Sequence, residues 1–280
     1  MRLEDIPIMP GPGTQPESPD GAQLDYPEMP ADMATFQLPD LSSWYGRLTE
    51  HPAAERMLEA LRTACADAGS RPTRFSLAGL AAGDRALVDD LLGEGEVSIR
   101  LGGDRPAAIQ ESVFTGVWRE RVFGAEGEPA EEAVTVAPIP AAVAEAMAGG
   151  TREGLPEVDT RGTQNAPAVL TELAEHLAAY QPGDEAHVVN LTLLPLGVED
   201  MAALESLGAG PVAILSRGYG NCRINATGVR HLWRVQYFNS TDTLILDTLE
   251  VVDVPAVALA ADEDLADSAE RLAEVRASLQ

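Results

Sequence analysis

The feature that most constrains this chain is an internal repeat. The segment 92–99 (LGEGEVSI) recurs at 207–214 (LGAGPVAI), 115 positions later. The offset continues without a gap, and 13 of 52 positions are identical between 92–143 and 207–258. Chance would give about three or four identities at ordinary residue frequencies. The sequence therefore predicts two copies of one structural unit.

Each copy contains the same succession of patterns. Apolar residues at helical spacing come first: Met57, Leu61, Cys65 and Ala68 in the first copy, and Leu170, Leu173, Leu177 and Tyr180 in the second. A short β-type run, a second helix and three strand-like runs follow. These three runs are 96–101, 107–123 and 132–137 in the first copy, and 211–216, 222–238 and 243–252 in the second.

These patterns predict an α/β (α+β) fold with two homologous lobes. Each lobe is a mainly antiparallel sheet with packed helices. The long middle run of each copy is expected to bend or divide at a glycine, Gly116 in the first and Gly228 in the second. Acidic residues at 262–264 followed by spaced leucines predict a helix that closes the chain.

The boundaries follow from composition. The first forty residues hold eight prolines and eight acids against one arginine, which predicts an extended acidic arm over 1–50. The first lobe is predicted at 51–148, the linker at 149–165 and the second lobe at 166–280.

Charge excludes several classes of function. The chain carries 45 acidic residues against 19 basic ones, a formal net charge of −26, and every basic residue is an arginine. A surface this negative argues against nucleic-acid and membrane partners and favours a basic protein partner. The absence of lysine excludes Schiff-base chemistry and a P-loop lysine. With no basic leader and no long apolar run, the sequence predicts a cytoplasmic protein.

The two copies differ most in one loop. The first copy reads LGGDRPAA at 101–108, where the second has Ser216, Arg217, Gly218, Tyr219, Gly220, Asn221, Cys222 and Arg223. Glycines permit close backbone approach, and the arginines beside Cys222 would stabilise a thiolate. Two interpretations of Cys222 stay open: a redox or metal-contacting thiol, or a small buried residue opposite Ala107.

No catalytic constellation is present in the sequence. His231 falls on the apolar side of a predicted strand without a second ligand at metal-binding spacing, and Cys65 lies on the apolar face of a helix. Neither a dinucleotide fingerprint nor a nucleophile elbow occurs. The residues predict a protein-binding surface at 216–223, without catalytic residues, metal site or cofactor, and therefore not an enzyme.

The run 214–224 (ILSRGYGNCRI) closely resembles the hydrogenase expression/formation proteins of the HupH/HyaF family. The likeness continues through 233–235 (WRV) and 237–240 (YFNS), and in the first copy through 109–114 (IQESVF). The arm resembles the N-terminus of that family at 9–16 (MPGPGTQP).

The resemblance implies an accessory protein for maturation of an uptake nickel-iron hydrogenase. It implies a chaperone of the small-subunit precursor, whose iron-sulfur clusters are inserted or protected before export, with a thioredoxin-like accessory protein as a further partner. The alternative is a redox or metal-delivering factor that acts on the hydrogenase cluster or the active-site iron.

Overall fold

The computed structural model describes residues 40–67, 72–218 and 221–280. Most of the predicted arm therefore lies outside the described residues. The helices are α1 (Pro52–Ala66), α2 (Ala82–Leu92), α3 (Ala141–Gly150), α4 (Ala166–Ala179), α5 (Val198–Glu205) and α6 (Asp262–Leu279). The strands are β1 (Thr73–Ser76), β2 (Val97–Leu101), β3 (Ala107–Glu111), β4 (Val117–Phe123), β5 (Pro129–Val136), β6 (His187–Asn190), β7 (Ala209–Ser216), β8 (Asn221–Thr227), β9 (Leu232–Phe238) and β10 (Leu244–Val251).

The two sequence copies fold into the same succession of elements. Each has a helix, a strand, a second helix and then four strands, followed by a further helix. β4 and β9 occupy positions 115 residues apart over their whole lengths, as do β5 and β10. Each long middle run is a hairpin of two strands. These elements confirm the predicted fold class.

The two lobes share one sheet. Its strand order is β1-β5-β4-β3-β2-β7-β8-β9-β10-β6, and every neighbouring pair is antiparallel. The central contact is the β2–β7 pair, in which Ile99 lies opposite Ile214. These residues are equivalent in the repeat, so a pseudo-two-fold axis passes between them. Rotation about this axis leaves each residue on the same face of the sheet and exchanges the first lobe with the second.

Helices cover the two faces differently. One face, here called the α3 face, carries the central core, in which Val143 and Met147 of α3 pack on isoleucines of β2, β3, β7 and β8. On the opposite face α1 and α2 cover the outer strands of the first lobe, and α4 and α5 cover those of the second. α6 returns to pack on α1. No helix among the described ranges is long and apolar enough to cross a bilayer.

One local prediction is wrong. The alternation in the second copy placed His231 on a strand face, but β9 begins at Leu232 and His231 lies in the turn before it with φ of +61°. Its Nδ1 lies 3.0 Å from a carboxylate oxygen of Asp253. The tight turn interrupts the strand, and simple alternation cannot detect that.

Candidate functional site: one end of the second lobe

Of the predicted segment 216–223, Ser216 ends β7, Asn221 begins β8, and Arg217 and Gly218 are exposed, whereas Tyr219 and Gly220 lie outside the described residues. The tip is attached to the first lobe, because the Arg217 N–H donates to the carbonyl oxygen of Glu96 over 3.1 Å. A Cβ at Gly218 would lie 2.3 Å from a carboxylate oxygen of Glu96, so this position requires glycine or a moved Glu96 side chain. The described beginning of the predicted loop is therefore exposed and is held by the neighbouring lobe.

Strand alternation separates Cys222 from Arg223. Cys222 points to the α3 face, is 5% exposed, and lies opposite Ser216 and Tyr237 on the adjacent strands. Burial raises the pKa of its thiol to about 11, although a hydrogen bond with Tyr237 opposes the shift. The prediction that flanking arginines stabilise a thiolate is wrong, because Arg223 is exposed on the other side of the strand.

Cys222 belongs to a small polar cluster inside the second lobe. Burial is the main cause that raises the pKa of Tyr237 to about 12, and burial also raises the pKa of Glu250. Thr248 donates from its hydroxyl to Glu250 over 3.0 Å. These pKa values keep the thiol and the phenol protonated at neutral pH, so the cluster is suited to packing rather than to nucleophilic chemistry.

Arg223 presents a cation beside an aromatic ring. Its guanidinium carbon lies 4.2 Å from the centroid of Phe238, and one nitrogen lies 3.2 Å from a carboxylate oxygen of Asp242. Stacking and the ion pair together hold this exposed side chain in one orientation. The geometry is suited to contacting a partner surface.

Sequence reasoning missed an apolar surface at the same end of the sheet. The β7–β8 and β9–β10 hairpins and the segment after β6 lie together, because these strands are consecutive antiparallel neighbours. Large apolar side chains are exposed there, and we call them the apolar end: Leu193, Leu194, Val198, Leu244 and Ile245. Leu193 is 80% exposed and Val198 82% exposed.

The apolar end is specific to the second lobe. In the first lobe Pro129 and Ala130 occupy the positions of Leu244 and Ile245, and the segment 77–83 after β1 exposes no large apolar side chain. A group of exposed apolar side chains on a strongly charged protein is a candidate interaction surface. The run LTLLPLGV at 191–198 carried the signal, but its exposure follows from β6 being an edge strand.

Neither lobe assembles a metal-binding group from its own side chains within the described ranges. No set of three His, Cys, Asp or Glu side chains there is close enough to hold an ion.

Comparisons with known proteins agree with the two-lobed organisation. The family model described as "HupH hydrogenase expression protein, C-terminal conserved region" matches twice, over 51–158 and 163–279. The first match contains β1 to β5 and the second contains β6 to β10.

Relatives match almost the whole chain. Hydrogenase expression/formation protein HupQ of Azotobacter chroococcum is 46% identical over 280 residues, which cover 96% of each chain. Hydrogenase expression/formation protein HupH of Rhodobacter capsulatus is 44% identical over 95% of this chain and 94% of its own. The hydrogenase-1 operon protein HyaF of Escherichia coli is 34% identical over 95% and 93%.

A solved structure, hydrogenase expression protein HupH from Thiobacillus denitrificans, is 26% identical, with a TM-score of 0.39, and covers 41% of this chain and 98% of that one. The family and sequence matches confirm the resemblance seen in the motifs.

Proposed function

This chain belongs to the HupH family of hydrogenase expression proteins, and we propose that it acts in maturation of an uptake nickel-iron hydrogenase as a non-enzymatic chaperone. Its client is the small-subunit precursor, which it holds in the cytoplasm while the iron-sulfur clusters are inserted or protected. A thioredoxin-like accessory protein is the second partner that we propose.

The apolar end of the second lobe carries this proposal. Its five exposed side chains lie at the same end of the sheet as Ser216 and Asn221, and the equivalent part of the first lobe lacks them. An unfinished metalloenzyme chain exposes apolar segments that a mature enzyme buries, so a complementary apolar surface suits a chaperone. The net charge of −26 adds a preference for basic segments of the client.

Co-purification of the precursor with tagged protein tests the proposal. We expect the double variant Leu193→Ser, Ile245→Ser to recover about tenfold less precursor than the unchanged chain, since two large apolar side chains leave the contact. Val257→Ser is the matched control, because Val257 is also exposed but lies away from the apolar end. Equal recovery of precursor by all three proteins would contradict the role of this surface, and no recovery by the unchanged chain would contradict the chaperone function.

The competing function, a redox or metal-delivering factor, depends on Cys222. Cys222→Ala removes the thiol and keeps a residue that the first lobe accommodates at the equivalent position, Ala107. A chaperone should then support full hydrogenase activity in aerobically grown cells, whereas a thiol-dependent factor should lose it. Elemental analysis of protein purified without oxygen gives a second criterion, since stoichiometric iron would favour the competing function.

A further inference from the structure

The first lobe contains a cavity that none of the sequence motifs identifies. It lies on the α3 face, between α3 and strands β2 to β5, and has a volume of about 670 Å³. The β2–β3 loop, with Gly102 and Gly103, borders one side, and the start of β1 borders another. This size is within the range of about 300–1,000 Å³ that is usual for ligand pockets.

Small residues open this cavity. The side of α3 that lines it contributes Ala142 and Ala146 and then Gly149 and Gly150, whereas the larger Val143 and Met147 pack into the central core. A helix with alanine and glycine toward the sheet cannot fill the space between them. The small residues of α3 therefore account for the cavity.

The pseudo-two-fold axis indicates what kind of group fits. Val122 and Ala107 line the cavity, and their equivalents in the second lobe are Tyr237 and Cys222. The ring of Tyr237 packs against the central core, and its hydroxyl forms a hydrogen bond with the thiol of Cys222. The second lobe thus supplies an aromatic side chain of its own where the first lobe has open space.

The buried polar groups inside the cavity are already paired. Glu120, 6% exposed, accepts from the hydroxyl of Thr135 and lies 3.2 Å from a nitrogen of Arg74. A polar small molecule is usually oriented by convergent unsatisfied groups, and here these groups satisfy one another. What remains available for binding is the apolar wall formed by Leu101, Ile109 and Val122.

The rim has an excess of negative charge. Arg74 and Arg105 both pair with Glu131, and Arg74 also pairs with Glu120. Asp104 and Glu145 have no ion-pair partner among the described residues, and both are exposed. The rim therefore attracts a cation beside whatever enters the cavity.

We propose that this cavity binds a peptide segment that inserts one aromatic or large aliphatic side chain and carries lysine or arginine next to it. That the peptide belongs to an unfinished hydrogenase chain rests on the proposed function; the pocket and its preference rest on the residues that line the cavity, which belong to the first lobe except for Pro211 of β7. The first lobe is then a second binding element, on the same face of the sheet as Cys222 and near the opposite end.

The test is an NMR titration of the full chain with three synthetic peptides. The probe is acetyl-Gly-Ser-Lys-Phe-Lys-Ser-Gly-amide, and its comparators replace Phe by Ala or both Lys by Glu. We expect the probe to shift amide signals of α3 and of 101–107. It should bind at least about tenfold more tightly than the alanine peptide, since burial of a phenylalanine ring has that effect on affinity. It should also bind more tightly than the glutamate peptide, because the rim is negatively charged.

Variants on one helix locate the binding. Ala146→Trp fills the cavity and should abolish the shifts, whereas Ala144→Trp, on the exposed side of α3, should leave them unchanged. Val122→Tyr introduces the residue found in the second lobe and should also block binding, which keeps the test valid if one variant fails to fold. Replacing Asp104 and Glu145 by arginine should reverse the preference for lysine over glutamate.

Several results would overturn the proposal that the cavity binds this peptide. One is that the amide shifts map to other residues, another is that the three peptides bind with equal affinity, and a third is that Ala146→Trp still binds the probe. The fourth is that the probe causes no shift, because another segment of the chain or a second copy fills the cavity. The precursor gives the separate criterion: if it co-purifies equally with the unchanged chain and Ala146→Trp, the precursor is not the occupant of the pocket, and the chaperone function stands. Failure of the precursor to bind at all contradicts the function, and the peptide titration still decides on the pocket.

Discussion

At the scale of single residues, the repeat shows how turns tolerate different side chains. Among the described residues, His231 and Asp242 are the non-glycine residues with positive φ, at +61° and +57°. Their equivalents in the first copy are Gly116 and Gly127, with φ of +79° and +82°. The second lobe therefore keeps left-handed turns at positions where glycine is the least strained residue.

Asp242 permits a direct measurement of this strain. Asp242→Gly and Asp242→Ala both remove the ion pair to Arg223, so they differ mainly in backbone freedom. We expect the glycine variant to be more stable than the alanine variant by about 1 kcal/mol, because alanine is disfavoured at positive φ. Urea unfolding of the two proteins measures the difference, and equal midpoints would show that the turn relaxes.

Glu111 makes the stability of the first lobe depend on pH. It is buried, accepts from the Gly116 N–H over 3.1 Å, and its pKa is raised from 4.5 to about 7, mainly by burial. A carboxyl group with a raised folded-state pKa destabilises the protein as pH rises from about 4.5 to about 7, since the folded state must then release a proton that it binds more tightly.

Glu111→Gln should therefore be more stable than the unchanged chain at pH 8, by on the order of 3 kcal/mol, and nearly equal to it at pH 4.5. Glutamine keeps an acceptor for the Gly116 N–H. Thermal unfolding from pH 4.5 to 8 checks this, with the exposed Glu274→Gln as control. A gain that does not vary with pH would show that packing, not ionisation, is responsible.

At the scale of elements, each lobe uses a carboxylate from its second helix to cap its first. Asp84 accepts from the backbone N–H groups of Ala53 and Ala54 at the start of α1. Asp200 accepts from Gln164, Asn165 and Ala166 at the start of α4. The caps satisfy donors that helix ends leave free and connect the two helices of each lobe.

The cap at Asp200 is predicted to fail in acid. Backbone hydrogen bonds from Ala166 and Gly197 are the main causes that lower its pKa from 3.8 to about 2. The stabilisation is present above pH 4 and is lost as pH falls toward 2, because the unfolded state binds the proton first.

Asp200→Asn should lower the thermal midpoint at pH 7, and the difference from the unchanged chain should shrink between pH 4 and pH 2. The neighbouring Glu199→Gln, an exposed position, is the control. A difference of constant size down to pH 2 would contradict an ionised cap.

Sequence patterns predicted the elements well where local periodicity decides. β4, β5, β9 and β10 follow from alternation and from the repeat, and α4 and α6 from spaced leucines. Periodicity could not indicate that β2 and β7 pair, because an unpaired edge gives no signal in its own residues. The apolar end was missed for the same reason: only the place of β6 at the edge of the sheet leaves the side chains after it uncovered. The sequence left two interpretations of Cys222 open. Its position in β8 places its side chain on the buried face of the strand, which agrees with the interpretation as a small buried residue.

At the scale of the whole molecule, the β2–β7 contact should make the two lobes unfold together. Trp118 and Trp233 are fully buried, one in each lobe, at equivalent positions. The central core joins both lobes across the contact, so loss of one lobe exposes apolar surface of the other.

Each tryptophan can report on its own lobe once the other two are replaced. We make two double variants: one combines Trp44→Phe with Trp118→Phe, and the other combines Trp44→Phe with Trp233→Phe. We expect each variant to show a fluorescence midpoint in urea that equals its midpoint by circular dichroism. A further Ile214→Ala should lower both midpoints, since Ile214 packs at the centre. Two separated transitions would show that the lobes are independent folding units.

The pseudo-two-fold axis between Ile99 and Ile214 has a consequence for how the client proposed above would be held. A dimer of two identical chains related by such an axis would present each cavity and each apolar surface twice. A polypeptide could then bind to it in either of two opposite directions. Because the two halves are joined in one chain, each can diverge in sequence. The first lobe therefore has the cavity and the second lobe has the apolar end. The fused molecule is thereby polarised and can impose a single direction on what it binds.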